Sequence, residues 1–152
     1  MSPSRMSQRI VTARIAWVRE MTTRIRALPL ASYEIFVADD RNVASAESYL
    51  RRGLEALLDL GRHVLAKVFA VGTTEYKEVA TRLEETGVLG GEHARTLLRL
   101  AGYRNRLVHF YHEVNQRELY EICAGQLEDV DRVAAAIASW IDGHPDRVDS
   151  SV

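Results

Sequence analysis

Only one of the 152 residues is a cysteine, Cys123, so no disulfide closes within the chain and no cysteine-rich zinc site can be built from one copy. Proline is nearly as scarce: Pro3, Pro29 and Pro145 leave residues 30–144 without the strongest helix breaker. Aromatic residues make up 7% of the chain, too few for a base-stacking platform that would bind single-stranded nucleic acid. No apolar run approaches the roughly 18–20 residues that span a bilayer, and no signal-peptide core follows Met1; a soluble, cytoplasmic protein with no membrane partner is expected. Charge of one sign is not in excess either. A formal net charge of −1 excludes a globally basic nucleic-acid binder, and 47% hydrophobic content excludes a disordered tail. Phosphate-cradling glycine loops, paired zinc-ligand histidines and serine-nucleophile elbows are missing, and no cofactor is implied.

What is present is one domain's length of helix-forming sequence, residues 1–152, with an uneven distribution of charge. Residues 1–37 carry six arginines against Glu20 and Glu34, whereas residues 117–152 carry three arginines against eight carboxylates. An arginine-rich, acid-poor start has the composition of an organelle transit peptide, but nothing in the stretch resembles a detachable segment. A basic helix that meets an anionic partner, or the acidic end of its own chain, is the reading adopted.

Apolar periodicity predicts the elements. Val11, Ile15, Val18, Ile25 and Leu28 form one stripe of a first helix from about Ser7 to Leu28, stopped by Pro29. Tyr33–Val37 reads as a short helical or extended connector. Asp40 or Asn42 can cap a long second helix reaching about Phe69, with Gly53 and Gly61 on its apolar stripe marking close approach of a neighbouring helix. A shorter amphipathic helix follows over about 74–85, then one from Glu92 to about Tyr111. Asn115 with Glu118 three residues on is a capping-box signature for a last helix carrying Leu119, Ile122, Leu127, Val130, Val133, Ile137 and Trp140 inward. The fold class is all-α, an up-and-down bundle of four to five helices, with residues 143–152 as a flexible tail.

The segment Tyr103-Arg104-Asn105-Arg106-Leu107-Val108-His109-Phe110-Tyr111-His112 departs from this pattern. At about 100° per residue, Arg104, Asn105, His109, Tyr111 and His112 gather on one side of the helix, with Arg106 apart. A guanidinium forks onto phosphate oxygens and stabilises the charge of a pentacoordinate transition state. An imidazole titrates near neutrality, so His109 suits proton transfer to or from RNA oxygens. With the RNA's own 2′-hydroxyl as nucleophile no metal is required. Arg104 and His109 diverge by about 140° on the wheel, so the two groups converge on one phosphate only if two copies pack across a two-fold axis.

The string Arg104-Asn105-Arg106-Leu107-Val108-His109-Phe110-Tyr111 resembles the Arg-x4-His-x-Tyr motif of the HEPN superfamily, in particular the HepT-like toxins of HepT–MntA toxin–antitoxin systems. Asp40-Arg41, the run Ala56-Leu57-Leu58-Asp59-Leu60-Gly61-Arg62-His63, the Gly87-Val88-Leu89 turn and Tyr103 are similar too. The likeness covers roughly residues 36–141, and the basic start, 1–35, departs from it. The resemblance implies a homodimeric, metal-independent endoribonuclease acting on RNA, with Arg104 and His109 in the catalytic positions and Asn105 in the variable polar one. It also implies a minimal nucleotidyltransferase (MntA-like) antitoxin as partner, and Tyr111 as the tyrosine that receives AMP. Arg106 and His112 are candidates for RNA binding. A non-catalytic helical partner of a nucleotidyltransferase is the competing expectation; a purely structural oligomer leaves the polar cluster unexplained.

Elsewhere the expectations are plain. His63 is read as a half-buried, hydrogen-bonded histidine, Asp59 as a structural ion-pair partner of Arg62 or Arg104, and Cys123 as an inert core residue. Trp17 and Trp140 are read as core or interface anchors, and His93 and His144 as loop-edge residues.

Overall fold

The computed structural model describes residues 2–108 and 114–152, and all structural statements below concern them. Seven helices run in the order α1 Gln8–Arg26, α2 Tyr33–Val37, α3 Asp40–Val68, α4 Tyr76–Glu85, α5 Gly91–Val108, α6 Gln116–Gly125 and α7 Leu127–Asp142. The all-α class agrees with the sequence pattern, but the number of helices exceeds the four to five expected, for two reasons. The connector after Pro29 is itself helical, with the Ser32 hydroxyl accepting from the Ile35 N–H. The stretch read as one last helix breaks at Gln126 (φ −124°, ψ 7°), which ends α6 behind Gly125 and begins α7. None of the described helices is long and apolar enough to cross a membrane.

Local chemistry sets the ends. Ser7 caps α1 by accepting from the Ile10 N–H, and the basic last turn, Arg24 and Arg26, suits the helix C-terminus. Asp39, rather than the expected Asp40 or Asn42, caps α3 by accepting from the Arg41 N–H; the Asn42 side chain instead donates to the Phe36 carbonyl. Asn115 caps α6 through the Glu118 N–H at 2.8 Å, as the capping-box spacing predicts. Glu118 does not reach back to close the box, because its carboxylate is taken by Arg106. Gly87 sits at φ +80° beyond α4, where its N–H and that of Val88 satisfy the Glu84 and Leu83 carbonyls.

α3 is the spine. At 1.5 Å per residue its 29 residues extend about 43 Å, and α1, α4, α5 and α7 all pack on it. Its two striped glycines do what close approach demands. A Cβ on Gly53 would lie 3.1 Å from the Met21 Cβ of α1, and one on Gly61 2.8 Å from Leu83 and Val79 of α4. Leu54, Leu57, Leu58, Leu60, Val64 and Leu65 of α3 are essentially solvent-free and join Leu83, Leu97, Leu100, Val133 and Ile137 in one core. Tyr120 ties α2 to α6, lying edge-on to Tyr33 and donating its hydroxyl to the Leu30 carbonyl.

The chain ends meet. Met6–Ser7 (β1) pairs in parallel with Val148–Asp149 (β2), Arg9 N–H donates to the Val152 carbonyl, and Met6 is fully buried. The segment 143–152, expected as a flexible tail, thus runs through a 3-10 turn at Pro145–Arg147 onto the start of α1. Arg26 of the basic start also reaches Asp131 of the acidic end at 2.6 Å, an intrachain meeting of the two charge blocks.

Candidate functional site

Arg104 lies near the C-terminal end of α5, and three elements converge on it. Arg51, Glu55, Asp59 and Arg62 follow one another by steps of four, four and three along α3, so they share one face of that helix. Tyr76 and Lys77 open α4, whose N-cap Glu75 makes no side-chain cap. The apolar stripe of α5 seats Leu97, Leu100 and Ala101 in the core and leaves Arg104 and Asn105 half-buried facing α3 and α4.

The contacts of Arg104 are specific. Its Nε and Nη2 both donate to Glu55 Oε2, at 3.0 and 2.9 Å, and Nη1 donates to Asn105 Oδ1 at 3.3 Å. Glu55 accepts from Arg51 with its other oxygen at 3.2 Å, so one carboxylate bridges two guanidiniums. The guanidinium carbon of Arg104 stands 4.6 Å from the centre of the Tyr76 ring, and that of Arg62 stands at the same distance from the same ring. The Tyr76 hydroxyl donates to Asp59 Oδ1 at 2.8 Å. Burial, and then the bond to Asp59, push the phenol up to about 12 against the opposing pull of Arg62 and Arg104. Tyr76 is therefore a neutral donor, fixed in place, and its ring is a seat for two cations.

These groups line a cleft of about 510 Å³, open to solvent between α3, α4 and α5, with Arg62, Tyr76, Lys77, Arg104 and Asn105 on its walls. A larger cleft of about 600 Å³ lies between α1 and the C-terminal residues, but Arg9 is its one titratable side chain. The chemistry belongs to the smaller one.

The other residues singled out in the sequence fall as follows. Arg106 turns toward α6, its Nη1 and Nη2 donating to the Glu118 carboxylate at 2.8–3.3 Å and its guanidinium covering Tyr103 at 5.2 Å. His109, Tyr111 and His112 lie outside the described residues. Asp59 engages Tyr76 and, loosely at 3.8 Å, Arg62; Arg104 is held by Glu55 instead. His63 accepts from the Ser7 N–H at Nε2, 3.0 Å, which makes it a satisfied histidine of the N-terminal strap rather than of the motif helix. Its pKa is lowered by burial first and then by Lys67 and Arg14. Cys123 is buried, its thiol pushed up to about 12 by desolvation, and so unreactive. Trp140 stacks on His144 with centroids 4.0 Å apart and packs near Phe69, whereas Trp17 is left partly exposed on α1.

Glu55 and Tyr76 were not singled out from sequence. The row of charges Arg51-Glu55-Asp59-Arg62 down one face of α3 was the available signal for Glu55. Tyr76, on a short amphipathic helix, carried no comparable signal.

Residues 18–137 match the family model for HepT-like ribonucleases. The chain belongs to the HepT-like ribonuclease family. Among curated proteins no sequence matches it. Solved structures of the same fold include a tri-AMPylated Shewanella oneidensis HEPN toxin in complex with its MNT antitoxin. That toxin is 22% identical, with a TM-score of 0.77 over 86% of this chain and 97% of the other. A toxin–antitoxin structure with AMP-PNP is 21% identical, with a TM-score of 0.78 over 87% of this chain and 99% of the other. YutE from Bacillus subtilis, a cytosolic protein of unknown function, is 15% identical with a TM-score of 0.73, covering 88% of this chain and 90% of the other. The family span leaves out the end of α7, and also β1, the start of α1 and β2, by which the two chain ends meet.

Proposed function

We propose that this HepT-like chain is the toxin of a toxin–antitoxin pair, a homodimeric, metal-independent endoribonuclease. Its antitoxin is a minimal nucleotidyltransferase that neutralises it by transferring AMP to Tyr111. The observation that carries the reading is the placement of Arg104: a permanent cation, oriented by Glu55 and seated on Tyr76, at the wall of an open polar cleft. Membership of a ribonuclease family supports RNA as the substrate of that cation, and the solved toxins in complex with an antitoxin support the partner class.

The chemistry follows from the RNA itself. A base removes the proton of the 2′-hydroxyl, O2′ attacks the adjacent phosphorus, and O5′ leaves as it takes up a proton. The products are a 2′,3′-cyclic phosphate and a 5′-hydroxyl. Arg104 binds the non-bridging oxygens and stabilises the charge that builds on them. His109 serves as the proton carrier, from the second subunit, since a spacing of five residues corresponds to about 140° on a helical wheel. AMP on Tyr111 would bring an anionic phosphate against Arg104 and occupy the place of the RNA.

One observation favours the competing reading, a non-catalytic partner of a nucleotidyltransferase: the fork of Arg104 is already filled by a carboxylate of its own chain. The variants Arg104→Ala and His109→Ala separate the two. Loss of RNA cleavage and of growth inhibition, with dimerisation retained, supports the toxin; an AMP-free wild-type protein that leaves RNA intact supports the binding partner.

A further inference from the structure

Two guanidiniums on one phenol ring need an explanation. Like charges held side by side repel, and Arg62 and Arg104 are both 4.6 Å from the centre of Tyr76. Arg104 has Glu55 as counter-ion, but among the described residues Arg62 has no equivalent. Its Nε donates to Thr73 Oγ1 at 3.3 Å, and its ion pair with Asp59 is a loose 3.8 Å to the oxygen that already accepts from Tyr76. Among the described residues no acceptor bonds its two terminal nitrogens, although the side chain is only 36% exposed. Lys77 lines the same cleft and its stem passes 4.0 Å from where a Cβ on Gly102 of α5 would lie. Glu75 is the acidic residue of this lining, and it is exposed.

We propose that Arg62, seated on Tyr76 and assisted by Lys77, is a second phosphate subsite, which holds the phosphodiester next to the one at Arg104 on single-stranded RNA. The proposal rests on the ribonuclease reading for the role of Arg104. The shared ring fixes the spacing of the two cations, and a flexible polyanion with regularly spaced charges fits such a pair better than an isolated anion does. The ring holds both guanidiniums in place, and the terminal nitrogens of Arg62 have no hydrogen-bond acceptor among the described residues, so little side-chain freedom is lost when they donate to a phosphate. The subsite carries no base contact and so contributes affinity and register rather than sequence preference.

The test uses the purified full-length protein free of antitoxin and of AMP. Cleavage is compared for a dinucleoside monophosphate and for tetranucleotides in which each flanking phosphate in turn is a neutral methylphosphonate. Wild-type kcat/KM is expected to rise roughly tenfold when the neighbouring phosphate is present and charged, and Arg62→Gln to bring that ratio close to one. Glu75→Gln, at an exposed position, is expected to raise it. A ratio near one in the wild type, or one that survives Arg62→Gln, overturns the subsite. If no RNA is cut at all, the ribonuclease reading fails and the subsite is judged by binding alone. Anisotropy with a 2′-O-methyl tetranucleotide is then expected to lose about 0.7 from its log–log salt slope in Arg62→Gln. An unchanged slope, or a loss seen with ATP in place of the oligonucleotide, overturns it.

Discussion

A guanidinium is a permanent cation, so what the structure controls at position 104 is the direction of that charge. Glu55 takes Nε and Nη2 on a single oxygen, Asn105 takes Nη1, and Tyr76 covers one face. Removing the anchor with Glu55→Ala is expected to lower RNA cleavage on the order of 10- to 100-fold through lost positioning, with helix content by circular dichroism unchanged. Glu55→Gln, whose amide oxygen still accepts, is expected to keep most of the activity. His63 offers a prediction of a different kind. Its folded-state pKa is below the ordinary imidazole value, because burial, and then the nearby charges of Lys67 and Arg14, disfavour the protonated ring. The unfolded chain then binds the extra proton first, so this contribution is complete above about 6.5 and is lost as pH falls through the folded value. Urea titrations at pH 7.5 and 5.5 are expected to show a smaller loss at low pH for His63→Gln than for the wild type.

At the scale of elements, contact geometry decides. Alanine is favoured over glycine by about 1 kcal/mol in a helix interior, yet at position 61 its methyl would stand 2.8 Å from two side chains of α4. Gly61→Ala is therefore expected to destabilise by about 1–3 kcal/mol, read as a lower urea midpoint, because overpacking outweighs propensity. The same stripe was legible in sequence, since glycines spaced eight apart among leucines have few other uses. The Asn115 cap was legible for an equally local reason, an acceptor side chain three residues ahead of an orphan N–H. The break at Gln126 was not. Apolar spacing runs across Gly125 without interruption, and only tertiary contacts, among them the Tyr103 hydroxyl on Gln126, mark the corner. Pairing across elements was hidden in the same way. Arg104 was identified from its own helix, whereas its counter-ion Glu55, 49 residues earlier, depends on how α3 and α5 cross. Asp59, one turn further along α3, seemed equally placed from the sequence.

On the scale of the whole molecule, the charge asymmetry read from sequence is used partly within the chain. Arg26 on Asp131 and Arg99 on Asp129 pin α1 and α5 to α7, while Arg5, Arg9, Arg14 and Arg19 remain on the exposed side of the N-terminal region. Exposed pairs of this kind contribute about 0–1 kcal/mol each, so burial of one continuous core drawn from all seven helices dominates stability. The β1–β2 bridge adds a local fastening. Deleting residues 148–152 removes the partners of Met6, Ser7 and Arg9. For a chain of this size each kcal/mol lost lowers Tm by about 2–4 °C. A drop of that order is expected, with faster amide exchange at Arg9.

That fastening lies beyond the family-matched span at both ends, and each half is the other's only strand neighbour among the described residues. Two independent appendages would show additive deletion costs. These should not, because cutting off either one already dissolves the shared hydrogen bonds, and the second cut has less left to undo. The trimmed core that remains, without both extensions, should consequently be more robust than summing the single truncations suggests.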